Sequence, residues 1–525
     1  MGPSAWVVLV CAFLSTRTAA AQPLEWAHQF GSAADESPQG VAADATGAYV
    51  AGWTTGTFAG QAFLGGYTDS FVCKYDVSGA QLWCRQFGTS ENETAYAIST
   101  VAGGAYSAGY TDGTFDGQTK TGPRDAFVCR HDVDGNLVWC RQFGTDTGYL
   151  AAHGVASAPD GVYVVGEMSG AFPGHTPGGY DAFVCKYDAS GNQLWCRQLG
   201  TPNTEDYEYA SGVAADAGGA YVAGSTYGNI DGVGLPGGGD AFICRYDSSG
   251  TLAWCRQFGT SSGDSAWGIA LDGNLPYVAG TTRGTFSGQT SSGYPDAFVC
   301  QYDATGNQNW CRQFGNTIPG GPMGPETNGA AVASDASGVY VAGYTPGALE
   351  GQTSTGGFDV FACKYDPAGN PLWCHQFGTT LDEYAFGAAT DSSGLYIAGY
   401  TWGTFDGQTS VGGADSYLAR LQTAPVSPTD LLQALIDSIE GSRYGKAVKT
   451  QLTAPLEKAL NLLKDGNPGN DASACGQLDA FKDRLEKMLK SRRIGTQDAD
   501  AWRSASDAIG RALGCLDSEA DELSE

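Results

Sequence analysis

The sequence predicts a mainly β protein, a seven-bladed β-propeller of four-stranded blades closed by its own N-terminal strand, followed by a small all-α domain. Three observations carry this. Seven tryptophans, Trp26, Trp83, Trp139, Trp195, Trp254, Trp310 and Trp373, recur at spacings of 57, 56, 56, 59, 56 and 63 residues. Each full unit holds four short strand candidates, as in SGVAAD, AYVAGS, DAFICRYD and LAWCRQF, separated by Gly-rich turns, and about fifty-six residues for four strands is the length of a propeller blade. Gly is abundant (77) and only 16% of residues are charged, a balance that suits β-structure and turns.

The chain opens with MGPSAWVVLVCAFLSTRTAAAQ. Ala5 to Leu14 form a short apolar core and Ala19-Ala20-Ala21 a small-residue cleavage site, so residues 1–21 read as a secretory signal peptide, though without a basic n-region. Cys11 falls inside it, which leaves fourteen of the fifteen cysteines, an even number that suits disulfides in an exported chain.

The propeller is expected over residues 22–422. Its hairpins follow the pattern DAFVCKYDASGNQLWCRQLG, Asp181 to Gly200, in which two cysteines stand eleven positions apart across a turn. Asp starts a type I turn and Gly takes the left-handed position behind it. The expected bridges are Cys73 with Cys84, Cys129 with Cys140, Cys185 with Cys196, Cys244 with Cys255, Cys300 with Cys311 and Cys363 with Cys374. The spacing matches no zinc motif. Each bridge clamps an exposed outer strand and adds about 2–3 kcal/mol in the chain-entropy account. Whether the pair occupies a hydrogen-bonded or a non-hydrogen-bonded site is open.

Closure follows from two half-hairpins. The last repeat ends in ADSYLARL, with Ala419 in place of Cys and no outer strand after it. The first segment, LEWAHQF from Leu24 to Phe30, is an outer strand without a partner, and Ala27 stands in place of Cys. If the N-terminal strand completes the last blade, both vacancies fall in one composite hairpin.

The recurring pattern G-[TS]-F-x-G-Q-T…G-x-D-A-F-V-x-K-Y-D-x-x-G…W…Q-F-G-T, from Leu24 to about Leu421, resembles the SBBP-type bacterial β-propeller repeat. That resemblance implies a secreted or surface propeller and no particular activity.

The linker (423–427, within QTAPVSP) leads into a helical domain over 428–515. Ser427 and Pro428 form a helix start, and Leu431, Leu432, Leu435, Ile436 and Ile439 follow helical spacing. A second helix runs from Lys446 to Lys464 with an expected break at Pro455. A third carries Leu478, Phe481, Leu485, Met488 and Leu489, and a fourth Trp502, Ile509 and Leu513. Cys475 and Cys515 are expected to pair. LLQALIDSIE, LLKDGN, ACGQLDAFKDRLE and ALGC make this segment resemble the FIMAH-type helical domain of secreted bacterial proteins. It reads either as a self-contained bundle or as an attachment module. The tail, 516–525, is acidic and expected to be disordered.

The formal charge is −28, and residues 22–425 hold 14 Lys+Arg against 39 Asp+Glu. Such a field repels nucleic acid and attracts cations or basic proteins. No apolar run after the leader reaches a membrane span. No metalloprotease, P-loop, dinucleotide or nucleophile-elbow motif occurs. The histidines read as isolated (His131, His153, His175) or as blade-surface variants (His28, His375). One constellation repeats: four residues before the small residue that opens each innermost strand stand Glu36, Glu93, Leu150, Glu208, Asp264, Pro325 and Glu383, with Tyr96, Trp267 and Phe386 just before the strand. The five acids Glu36, Glu93, Glu208, Asp264 and Glu383 are the candidate cation site, with Ca²⁺ the possible ion. With Asp116, Asp231, Glu350 and Asp406 they would make one acidic, partly aromatic face. Three readings of them are open: turn caps, a cation site, or a catalytic carboxylate pair. The sequence thus points to a secreted or cell-surface binding or scaffold protein for a cation, glycan or basic protein. The alternatives are a hydrolase working in the funnel and a structural envelope or matrix protein.

Overall fold

The computed structural model describes residues 24–495, apart from 176–178, 202, 231, 233–236, 294, 317–326, 392–393, 424–427 and 465–470, together with scattered residues from 499 to 515. The expected leader and acidic tail, Pro325 and Asp231 lie outside the described residues. The chain divides into two compact units, one spanning Gln22–Ala424 and the other holding the C-terminal helices from Pro425 on.

The first unit is a seven-bladed propeller of four-stranded antiparallel sheets. Blade 1 runs Glu36–Asp44, Gly47–Thr54, Asp69–Tyr75 and Gln81–Phe87 from axis to rim. Blades 2 to 6 start at Glu93, Leu150, Glu208, Asp264 and Asn328. Blade 7 is composite: Glu383–Thr390, Gly394–Thr401 and Asp415–Gln422 come from the end of the propeller sequence, and Leu24–Phe30 is its outermost strand. Ala27 lies directly opposite Ala419. The cysteines of the other six blades hold that same register and all six bridges form. Their Cα atoms are 4.0 to 4.1 Å apart, the short separation of a non-hydrogen-bonded pair.

Two repeated polar devices hold the ring. Within a blade, the Gln of the outer RQF sequence reaches inward; Gln86 Nε2 donates to Gly56 O at 2.9 Å and to Asp69 Oδ2 at 2.7 Å. Gln29 does the same across the two ends of the propeller, to Gly403 O at 3.0 Å and Asp415 Oδ2 at 2.7 Å. Between blades, the Trp and Arg flanking the outer cysteine latch the hairpin turn of the next blade. Trp83 Nε1 donates to Val133 O at 2.9 Å and Arg85 to Asp134 O at 3.0 Å. Trp139 with Arg141 and Trp195 with Arg197 repeat the arrangement. Turn glycines make room for the indole: Gly135 has φ +80°, and a Cβ there would meet the Trp83 ring at 2.7 Å. Many of the cations beside the cysteines are therefore blade-to-blade fasteners.

Paired exceptions mark individual blades. The third strand of blade 2 ends on His131, where most blades carry a buried Tyr such as Tyr75 or Tyr187. Ser107, which replaces the usual Val, meets His131 Nε2 at 2.9 Å. Burial, with the Arg130 charge beside it, pulls His131 down to about 4. A histidine held neutral in the fold takes up its proton first in the unfolded chain. Its contribution is therefore complete above about pH 6.5 and is lost as pH falls toward 4. Relative to the His131→Tyr/Ser107→Val variant, which restores the common pair, the wild type is expected to lose up to about 3 kcal/mol between pH 7 and pH 4. Parallel melts of the two proteins check this, and superimposable pH profiles would refute it. His375 is not a surface residue as expected; it is partly buried against Phe377, and burial lowers its pKa.

The second unit holds helices α1 (Pro428–Gly441), α2 (Lys446–Leu463) and α3 (Asp471–Lys490). Trp502, Arg503, Ser506, Ile509, Gly510 and Leu513 are also helical. Leu432, Ile439, Leu456, Phe481, Leu485 and Trp502 share one core. The expected break at Pro455 does not occur. Proline there lacks the N–H that would bond Gln451 O, and Arg484 of α3 donates to that carbonyl instead, at 2.8 Å. Cys475 and Cys515 are bridged, with Cα atoms 5.5 Å apart.

Candidate functional site

The five predicted acids are not brought together. They lie not in loops but at the first residue of their innermost strands, and all are buried. Each is occupied in its own blade by donors from the loop that leads into the strand, most also by a threonine of the second strand. Glu93 accepts from Thr89 N–H at 2.6 Å, Thr89 Oγ1 at 2.7 Å and Thr111 Oγ1 at 2.5 Å. Glu383 has the same set from Thr379 and Thr401. Glu36 has it from Ser32 and Thr54. Glu208 accepts from Thr226 and Thr201, and Asp264 from Thr260. Burial pushes all five carboxyls above their ordinary range, against the pull of these hydroxyls and N–H groups. No two of the five share one of these donors. Among the described residues no three His, Cys, Asp or Glu side chains are grouped closely enough to hold a metal ion.

The two blades without the acid follow the same logic. In blade 3, Leu150 faces Met168, so an apolar pair replaces the carboxylate and threonine together. In blade 6 the register makes Thr327, not Pro325, the equivalent position, and Thr327 Oγ1 meets Thr345 Oγ1 at 3.2 Å. These acids fasten each inner strand to the loop before it.

The open site lies three positions along from the acid on the same strands. Every innermost strand carries a β-bulge, which leaves one residue without a cross-strand partner and re-aims its side chain. In blades 1 to 5 and 7 that residue is Gln39, Tyr96, His153, Ser211, Trp267 and Phe386. In blade 6 it falls within Gly329–Ala330. All six, with Ala330, line one cavity of about 480 Å³. One residue from each of the seven innermost strands places it on the propeller axis. The position after the bulge stays small in every blade: Gly40, Ala97, Gly154, Gly212, Gly268, Ala331 and Gly387. The reason is convergence of the inner strands. A Cβ on Gly40 would stand 3.2 Å from Ala97 Cα, and one on Gly387 3.1 Å from Gly40 C.

A second tier of residues widens the mouth. Tyr209 lies 6.0 Å from Trp267 between ring centres, and Tyr344 lies 6.3 Å from Phe386. The Trp267 indole is fixed by Nε1 donating to Thr281 Oγ1 at 3.1 Å, and Asn328 Nδ2 donates to the Tyr344 hydroxyl at 2.8 Å. Tyr96 packs on the His153 ring at 4.9 Å, and burial with Tyr110 nearby pushes its phenol up to about 12. His153 is thus not isolated: its Nε2 stands 3.4 Å from Glu167 Oε1 and is the main reason the Glu167 carboxyl is held below its usual range. Arg124, near this side of the mouth, is spent on Asp112 through Nε–Oδ1 at 2.8 Å and Nη2–Oδ2 at 3.2 Å. The exposed rings of Tyr67, Tyr149, Tyr207, Tyr227 and Trp402 lie at strand ends on this same face, as do the exposed acids Asp116, Glu350 and Asp406.

Sequence reasoning singled out Tyr96, Trp267 and Phe386 as strand-edge aromatics and missed the ring they belong to. The signal was present: between a position that is acidic in five blades and one that is small in all seven, one position differs in every blade.

No family model matches the chain. A curated relative, the regulatory protein FlaEY of Caulobacter vibrioides, is 24% identical over 488 residues, covering 82% of this chain and 49% of that protein. The chain therefore spans about half the length of the relative it matches. Among solved structures, Drosophila Plexin A in complex with Semaphorin 1b aligns over 80% of this chain and 91% of its own at 8% identity and a TM-score of 0.42. Trypanosoma rangeli sialidase in complex with sialic acid aligns over 71% and 61% at 10% identity and a TM-score of 0.35. No helix among the described residues is long and apolar enough to cross a membrane. Seven disulfides suit an oxidising, extracellular compartment.

Proposed function

We propose that this chain is an extracellular binding module, non-enzymatic, whose ligand enters the axial funnel and is selected by the seven bulge positions. The observation that carries the reading is the contrast within the repeat. Residues that hold a blade together recur from blade to blade or change in matched pairs, whereas the ring reads Gln, Tyr, His, Ser, Trp, Ala, Phe. Duplication made seven like innermost strands, and along them the bulge position facing the cavity is the one that carries a different residue in every blade. A concave, aromatic-lined cavity with a few placed polar groups is the general form of a small-ligand site. The hydrolase alternative asks for two carboxylates facing each other across the bond to be cleaved. Glu167 is the one carboxylate among the described lining residues, which favours binding.

The quoted repeat and helical motifs support assignment of the propeller to the SBBP type and of the helical unit to the FIMAH type, and with them a secreted or surface location. The test is a panel of saccharides, amines and peptides titrated against the full chain and against Tyr96→Ser/Trp267→Ser/Phe386→Ser. Binding by the wild type that is lost in a variant melting within a few degrees of it supports the reading. Binding that survives the triple substitution places the ligand elsewhere and overturns it.

A further inference from the structure

The lining of the funnel narrows the chemistry of what it takes. Its walls present Tyr96, Trp267, Tyr344 and Phe386 from four different blades, so aromatic side chains border one space from several sides. Glu167 adds a carboxylate that is 38% exposed. The nearby guanidinium, Arg124, is paired to Asp112. Aromatic side chains with a carboxylate, and neither Lys nor Arg among the described lining residues, favour a positively charged guest. The formal charge of −28 draws such a guest in.

The polar groups set a second limit. Gln39 Nε2 is bonded to Ser37 Oγ, His153 faces Glu167, and Asn328 Nδ2 is bonded to Tyr344. Ser211 Oγ and Asn328 Oδ1 are buried and have no hydrogen-bond partner within the protein. A sugar ring brings several hydroxyls, and each one buried without a partner is costly. Ser211 and Asn328 line the cavity, but Ser211 Oγ and Asn328 Oδ1 are closed to solvent, so the wall offers a polyhydroxylated sugar few polar partners.

We propose that the funnel binds a small alkylammonium cation, for which choline is the probe. The ammonium group lies against the aromatic wall to which Tyr96, Trp267, Tyr344 and Phe386 contribute, with Glu167 as the nearby negative charge. This inference rests on the reading of the funnel as the binding site. Cation–π attraction supplies affinity that a neutral guest of the same shape lacks.

The experiment is calorimetric titration of the full chain with choline and with its neutral isostere 3,3-dimethylbutan-1-ol. Choline is expected to bind saturably and the alcohol at least about tenfold more weakly. Trp267→Leu and Glu167→Gln are each expected to weaken choline by about fivefold or more while melting like the parent. If Trp267→Leu fails to fold, Phe386→Leu takes its place. Equal binding of choline and the alcohol overturns the cationic assignment and leaves the funnel as a site. No saturable choline binding up to about 10 mM, or choline binding untouched by both substitutions, overturns the proposal. The panel titration against the triple variant then judges the funnel independently.

Discussion

Replacing Ala27 and Ala419 together by cysteine is expected to give the propeller a seventh hairpin disulfide and the largest single gain in stability the fold offers. The two residues already stand opposite each other in the register that the six native bridges use. The native bridges span a sequence separation of 11, whereas this one would close nearly the whole propeller sequence. In the chain-entropy account, a loop of several hundred residues is worth up to about 5 kcal/mol, against about 2–3 for a short hairpin. The rise in melting temperature should vanish on reduction and in either single variant. The matching loss-of-stability experiment removes Leu24 to Phe30. That strips the outer strand from blade 7, exposes an edge and breaks the Gln29–Asp415 bond. The truncated chain should melt well below the parent, and one that melted with it would show that the N-terminal strand does not close the ring.

The second large effect concerns the buried acids. Glu93→Leu alone leaves the Thr89 N–H, the Thr89 hydroxyl and the Thr111 hydroxyl without their acceptor, which should cost about 3 kcal/mol. Adding Thr111→Met recreates the Leu150–Met168 pair that blade 3 already uses. The double variant is therefore expected to recover at least half of the loss, an interaction energy that a double-mutant cycle in urea reads directly. Strict additivity would mean that the acid and the threonine are not a unit. Millimolar Ca²⁺ should leave the melting temperatures of wild type and variants unchanged relative to Mg²⁺, since these carboxylates are already saturated by protein donors. A shift specific to Ca²⁺ would restore the cation reading.

The architecture was legible because its determinants repeat. The tryptophan period, the hairpin turns and the joint absence of cysteine at Ala27 and Ala419 each report a contact that recurs blade by blade. The acids were legible as a pattern but not as an environment. A carboxylate four residues from a Gly looks the same whether it faces solvent or a threonine hydroxyl. Only the strand register shows that Glu93 and Thr111 are opposed. Pro325 was misplaced because the small residue after the bulge of blade 6 is Ala331, two residues beyond the Gly329 that the Gly pattern picks out. The helix through Pro455 could not be foreseen, since its free carbonyl is satisfied from a residue 33 positions away. The binding ring escaped notice for the opposite reason: a search for repeated chemistry passes over the one position whose chemistry never repeats.

The central claim is that the bulge ring is the ligand site. Hydroxyl-radical footprinting by mass spectrometry tests it most directly, on the full chain with and without the tightest binder from the panel. Protection of Tyr96, Trp267 and Phe386, with Tyr67 on the outer loops and Leu82 on the outer strand of blade 1 unchanged, is the expected result. Protection confined to the outer strands, the hairpin turns or the helical unit, with the three ring residues as reactive as before, would contradict it.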